Sequence, residues 1–239
     1  MYLVVIGKTI DKERLLTMED RICYIFAAAE FDGILKFKPR KDIDFIIAAD
    51  AGYRHLQKLK ITPDMLIGDF DSLGEIPDGV ELLRYPSMKD DTDLMLAVKY
   101  GFAHGYHRFI IYGGMGGKLD FTLANFQILS NIVNSGGSAY LVGCGSLITA
   151  VRDGTLLFDE YFTGRISILC SGDQACNVTL RGLKYPLEQA ILKYDEPLGI
   201  SNEFLGMRGS IAVGNGMLTV IYDDVNNMMK TVKNKDRQH

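Results

Sequence analysis

Apolar positions in this chain follow two rhythms. Up to about Leu147 they come as short unbroken runs alternating with stretches of helical spacing. Arg21 to Glu30 (RICYIFAAAE) predicts a strand followed by a loop of small residues, where a ligand can approach the backbone. Asp44 to Asp50 (DFIIAAD) is continuous rather than alternating, the pattern of a strand covered on both faces of a parallel sheet. Tyr53 to Leu59 has helical spacing, Pro63-Asp64 breaks it, and Met65 to Ile67 predicts the next short strand. Val80 to Tyr85 reads as a strand stopped by Pro86, Thr92 to Ala103 as a helix, and Arg108 to Tyr112 as a strand. A helix beginning near Thr122 and a strand over Ala139 to Val142 complete the series. Acids stand at several strand ends, and open α/β sheets bind ligands beyond the carboxyl ends of their strands.

After Leu147 the runs shorten, and turn residues recur about every ten positions, from Asp153-Gly154 to Gly214-Asn215-Gly216. Leu156 to Phe158, Arg165 to Leu169, Ala175 to Leu180, Ser210 to Val213 and Met217 to Tyr222 read as strands of a small antiparallel sandwich. The predicted fold is an α/β domain with a mostly parallel sheet followed by an antiparallel β-sandwich. The boundaries read as 1–20 for an extension, 21–148 for the α/β domain, 149–228 for the sandwich and 229–239 for a polar tail.

Composition adds exclusions. The 239 residues are 47% hydrophobic and 23% charged, ordinary for a globular protein. A net charge of −4, with no basic run interleaved with aromatics, argues against a nucleic-acid partner. No apolar stretch approaches the length of a membrane span, and the N-terminus makes a poor signal peptide, so a cytoplasmic location is expected. Cys23, Cys144, Cys170 and Cys176 form no C-x-x-C pair and read as reduced, buried packing residues. His104 and His107 straddle a turn and read as solvent-exposed rather than as zinc ligands.

The chemistry concentrates between Ile67 and Asp93. One acidic cluster is Asp69 and Asp71 in GDFDS, the other Asp90, Asp91 and Asp93 in KDDTD. Two unit charges about 4 Å apart repel by roughly 4 kcal/mol at an effective dielectric near 20. Oxygen ligands kept ionised against that repulsion suit Mg²⁺. The competing reading of the second cluster is a helix start, with Asp91 or Thr92 as N-cap and the acids facing the macrodipole. Gly113-Gly114-Met115-Gly116-Gly117-Lys118, between a strand and a helix, reads either as a phosphate cradle or as a glycine-rich turn. It is neither a Walker A loop nor G-x-G-x-x-G, because Leu119 follows Lys118. Asp69-Phe70-Asp71 also matches the D-x-D of aspartate-nucleophile phosphatases.

Six segments together resemble thiamine pyrophosphokinases: ADAG from Ala49, PDMLIGDFDS from Pro63, KDDTD from Lys89, GGMGGKLD from Gly113, GLKYPL from Gly182 and GISNEF from Gly199. The resemblance implies transfer of a pyrophosphoryl group from ATP to the hydroxyl of thiamine, giving thiamine diphosphate and AMP. It further implies a homodimer whose substrate lies between one subunit's acidic loops and the other's sandwich. Asp69, Asp71 and Asp93, with Asp90 beside them, are implied as Mg²⁺ ligands, and Asp71 or Asp93 as acceptor of the hydroxyl proton. Asp50, Ser72, Lys89, Gly113, Gly114, Gly116, Gly117, Lys118 and Asp120 are implied at the nucleotide. Tyr185, Ser201 and Asn202 are implied at thiamine. Lys118 stands where many relatives have Arg, and Phe121 where many carry a polar residue. Two alternatives are kept: an aspartate-nucleophile phosphatase using Asp69, and a non-catalytic nucleotide- or thiamine-binding module.

Overall fold

The computed structural model describes residues 21–31, 39–69, 79–85 and 90–223. Asp71, Ser72 and Lys89, the extension 1–20 and the tail from 229 therefore lie outside the described residues. The chain divides into two compact units, and it passes from the first to the second inside strand β5, Arg108–Tyr112, between Ile110 and Ile111.

The first unit is built on parallel strands. They are β1 (Ile22–Phe26), β2 (Phe45–Ala49), β3 (Met65–Gly68) and β4 (Glu81–Arg84), paired in that order. The unbroken apolar runs are explained by burial: Cys23, Ile25, Ile47, Leu66 and Ile67 are all inaccessible, so both faces of these strands are covered. Helix α1 (Tyr53–Leu59) follows β2, and helix α2 (Asp93–Ala103) packs on β1, β2 and β3. Leu94, Ala97, Val98 and Gly101 form the buried stripe of α2 at helical spacing. Gly101 is where the helix closes on the sheet, since a Cβ there would lie 2.5 Å from Phe109.

Asp44 fixes the start of β2. Its side chain is 1% exposed and takes a two-pronged contact from the Arg40 guanidinium at 2.8 and 3.1 Å. It also accepts from Arg40 N at 2.8 Å and from Ile22 N at 2.9 Å, tying β1 to β2. Burial raises the carboxyl's pKa, but the bonds from Arg40 and from the two backbone N–H groups outweigh that and hold it below the ordinary carboxylate range. A carboxyl depressed on folding contributes stability above its unfolded pKa and loses it as pH falls through its folded pKa. Asp44→Asn is thus expected to cost about 1–3 kcal/mol at pH 7, with buried donors left short of an acceptor. Urea melts at several pH values check this: the gap between the two proteins should close on acidification below the folded pKa, and a gap that stays constant would refute it.

The second unit is antiparallel throughout its sandwich. Helix α3 (Leu119–Asn134) packs on β6 (Ser138–Gly143) and β7 (Ser146–Arg152) through Asn125, Ile128, Leu129, Ile132 and Val133. The remaining strands are β8 (Thr155–Phe158), β9 (Arg165–Cys170), β10 (Gln174–Arg181), β11 (Leu187–Lys193), β12 (Gly199–Glu203), β13 (Gly209–Ala212) and β14 (Met217–Tyr222). One sheet runs β6-β7-β14-β9-β12 and the other β11-β10-β13-β8. Phe158, Phe162, Phe204 and Tyr222 meet in the core with ring centroids 5.1–6.3 Å apart. Edge-to-face pairs of this kind add about 0.5–1.5 kcal/mol each beyond area burial.

Three strands depart from the sequence reading. β7 spans the expected boundary between residues 148 and 149, and β11 and β12 lie where the sequence reading assigns no strand. Helix α3 begins at Leu119, three residues before Thr122. The expectation of four buried cysteines holds for Cys23 and Cys170, while Cys176 is half-buried and Cys144 is exposed. Cys144 is exposed because Cys144-Gly145, at φ +51° and +69°, is the two-residue turn joining β6 to β7. His104 and His107 are exposed as expected; His104 stacks on Tyr100 at 3.9 Å. Among the described residues no helix is long and apolar enough to cross a membrane.

Candidate active site

In the first unit Asp50 and Asp69 follow directly on the carboxyl ends of parallel strands β2 and β3. β2 ends at Ala49, and Asp50 takes a left-handed φ of +47° to open the short 3-10 turn Asp50–Gly52. That conformation costs a residue with a Cβ about 1–2 kcal/mol, and it turns Asp50 off the strand axis. β3 lies beside β2 with Ile67 opposite Ala49. A Cβ on Gly68 would sit 3.2 Å from the Asp50 Cα, so the chain leaves β3 against Asp50 and continues into Asp69. The Pro63-Asp64 block precedes β3, and Asp64 is structural: its carboxylate accepts from Ile46 N at 2.7 Å while its own N–H donates to Ile46 O at 2.8 Å.

The start of α2 supplies the second cluster. Thr92 is the N-cap, its Oγ1 accepting from Met95 N at 3.2 Å. Capping therefore falls to Thr92 and not to Asp91 or Asp93. Lys99 forms an ion pair with Asp91, drawing that carboxylate toward the side of the helix. Asp50, Asp69 and Asp93 are half-buried and Asp90 is exposed. Among the described residues no three His, Cys, Asp or Glu side chains gather closely enough to hold a metal ion. The implied ligands are all carboxylates, the oxygen chemistry that Mg²⁺ takes, and one of them, Asp71, lies outside the described residues.

In the second unit the glycine segment is a shaped turn. Gly113, Gly116 and Gly117 have φ of +63°, +85° and +67°, values that only glycine adopts cheaply. The Gly113 carbonyl accepts from Ala29 N at 2.9 Å, and the Gly114 carbonyl accepts from the buried Asn125 Nδ2 at 2.7 Å. Thr122 Oγ1 reaches back to the carbonyls of Gly116 and Lys118. At the N-cap of α3, Lys118 makes no side-chain cap, and a helix N-terminus of this kind attracts anions. Asp120 Oδ1 accepts from Phe121 N at 2.9 Å. The Lys118 ammonium lies 5.6 Å from the centroid of the Phe121 ring. The two positions that depart from the family pattern thus touch each other, and the ring face steadies the lone ammonium. Glu30, which no sequence signal marked, sits beside Gly116: a Cβ there would be 3.6 Å from the Glu30 Cβ.

The sandwich carries the third group. Tyr185 is 57% exposed and so is not a core aromatic. Ser201 is exposed, holds φ +58°, and donates its N–H to Ser167 Oγ at 3.0 Å, at a register shift in β12. Asn202 is buried beneath both. A groove of about 670 Å³ between α3 and strands β9 and β14 is lined by Leu123, Phe126, Leu169, Met217 and Tyr194, and none of the sequence-predicted site residues borders it.

The chain as a whole is similar to known proteins. The profile for thiamin pyrophosphokinase, catalytic domain, matches residues 39–141, and that for thiamin pyrophosphokinase, vitamin B1 binding domain, matches residues 155–218. Thiamine pyrophosphokinase of Bacillus subtilis (strain 168) is 30% identical over 182 residues, covering 73% of this chain and 85% of that protein. Thiamin pyrophosphokinase 1 of Caenorhabditis elegans is 25% identical over 171 residues, covering 66% and 70%. Among solved structures, thiamine pyrophosphokinase from Bacillus subtilis superposes with a TM-score of 0.76 at 25% identity, over 85% of this chain and 98% of that one. The Candida albicans protein shares the fold with a TM-score of 0.65 at 18% identity, over 87% and 91%.

Proposed function

Because this chain belongs to the thiamin pyrophosphokinase family, we propose that it moves a pyrophosphoryl group from ATP to the thiamine hydroxyl, releasing AMP. The observation that carries the proposal is the acidic carboxyl edge of the first unit, where Asp50, Asp69 and the start of α2 follow parallel strands. In this reading Asp69, Asp71 and Asp93, with Asp90 beside them, hold Mg²⁺, which would offset charge on the transferred group. Asp71 or Asp93 accepts the proton of the attacking hydroxyl. Gly113 to Lys118, with Asp50, Ser72, Lys89 and Asp120, holds the nucleotide. Tyr185 and Ser201 receive thiamine. Catalysis is assigned to residues 21–148 and vitamin recognition to 149–228, in a cytoplasmic homodimer.

Product analysis tests the reading. ATP, thiamine and Mg²⁺ should give AMP and thiamine diphosphate in equal amounts, with no product after chelation of the metal. Formation of ADP, or ATP consumption independent of thiamine, would refute the assignment. Hydrolysis of a phosphomonoester without ATP would point instead to the phosphatase.

A further inference from the structure

Resting on that thiamine reading, we propose that Asn202 is a positioning residue: its carboxamide clamps the Tyr185 backbone and so fixes the ring that receives the vitamin. Asn202 is 2% exposed. Its Nδ2 donates to Tyr185 O at 2.7 Å, and its Oδ1 accepts from Tyr185 N at 2.9 Å and from Glu203 N at 2.9 Å. Both lone pairs of the amide oxygen are thereby used, with one N–H of the nitrogen. Three of the carboxamide's hydrogen bonds go to the backbone of Tyr185 and Glu203.

The clamp continues a ladder. Leu183 bridges to Phe204, and Lys184 N donates to Glu203 O at 3.0 Å. At Tyr185 the pairing passes to a side chain, and the segment is held on both its N–H and its C=O. Around it, Lys184 is tied to Glu203 at 2.7 Å and its ammonium lies 5.5 Å from the Tyr185 ring centroid. An exposed aromatic on a doubly pinned peptide is a pre-oriented platform for a flat cationic ring, with less ordering left to do on binding.

The chain contains no tryptophan, so Tyr185→Trp installs a single fluorophore at the platform. With Asn202 intact, the introduced indole should show high anisotropy and be quenched by thiamine. Adding Asn202→Ala should lower that anisotropy without ligand and raise the thiamine Kd roughly tenfold, while the ATP Kd moves less than about twofold. Asn202→Asp keeps both acceptor bonds but sets a carboxylate oxygen against Tyr185 O in place of the donor, so it should also lower the anisotropy and weaken thiamine binding. If Asn202→Ala does not fold, Asn202→Asp carries the comparison. Unchanged anisotropy and thiamine affinity in either variant would overturn the proposal. So would an equal loss of thiamine and ATP binding, which is what general unfolding gives. Absence of any thiamine response with Asn202 intact, in a protein whose anisotropy still depends on Asn202, would overturn the thiamine reading instead.

Discussion

Asp93→Asn is expected to lower turnover by about a thousandfold, the scale seen when one preorganised electrostatic group is lost from a reacting centre, while Tm shifts by no more than about 2 °C. The small thermal effect follows from the division of labour at the start of α2. Thr92 Oγ1, not Asp93, accepts the N–H of Met95. Asp93 also sets its charge near the positive end of the dipole, worth about 0.3–1 kcal/mol at a surface. Thr92→Ala should show the opposite balance, losing about 1 kcal/mol of stability with the cap and keeping most of its turnover. Kinetics and melting curves on both variants separate chemistry from scaffold. An Asp93→Asn protein that melts early and turns over normally would show that the acid belongs to the helix and not to the reaction.

The first unit was legible because β1, β2 and β3 are parallel and covered on both faces. Ile22–Phe26, Phe45–Ala49 and Met65–Gly68 stand out as unbroken apolar runs, and the turn residues after them place the acids. The glycine segment was legible because glycines cluster between a strand and a helix: Gly113, Gly116 and Gly117 hold positive φ, and Gly114 packs closely, its Cβ position 3.2 Å from Ile111. The second unit hid more. β11 reads LEQAILK, rich in helix formers, and is a strand because β10 pairs along it; propensity yields to that pairing. β12 reads GISNE, with little apolar content, and is held by β9. β7 follows β6 after only a two-residue turn, and so it straddles the expected boundary at residue 148. Asn202 was visible as a residue but not as a clamp, because its partner Tyr185 is 17 positions away. Asp64 was read as part of a helix break, and its pairing with Ile46 depends on the β2–β3 neighbourhood that only folding creates.

Gly52→Ala is the second large effect, and it links the fold to the chemistry. A Cβ at residue 52 would lie 1.9 Å from the Phe26 carbonyl oxygen, 2.5 Å from its carbon and 3.0 Å from Ala27 N. All three are backbone atoms at the end of β1, so no rotamer change relieves the clash. Either β1 or the turn Asp50–Gly52 must move. β1 is fixed by its pairing to β2, with Phe26 opposite Ala48, and on the other side Tyr53 and Leu56 of α1 are buried. The strain therefore falls on the turn that aims Asp50. Overpacking of this kind costs about 3 kcal/mol when nothing flexible can yield, and displacing a substrate-positioning group by about 1 Å costs on the order of a hundredfold in rate. Gly52→Ala should accordingly lose both stability and turnover. Gly136→Ala is the control: nothing lies within 4 Å of its Cβ position, so it meets only the strain of φ +82°, about 1 kcal/mol. Urea melts and steady-state kinetics on the pair decide the matter. If Gly52→Ala melted and turned over like the parent, the close approach of the Asp50 turn to β1 would not be what sets the acid in place.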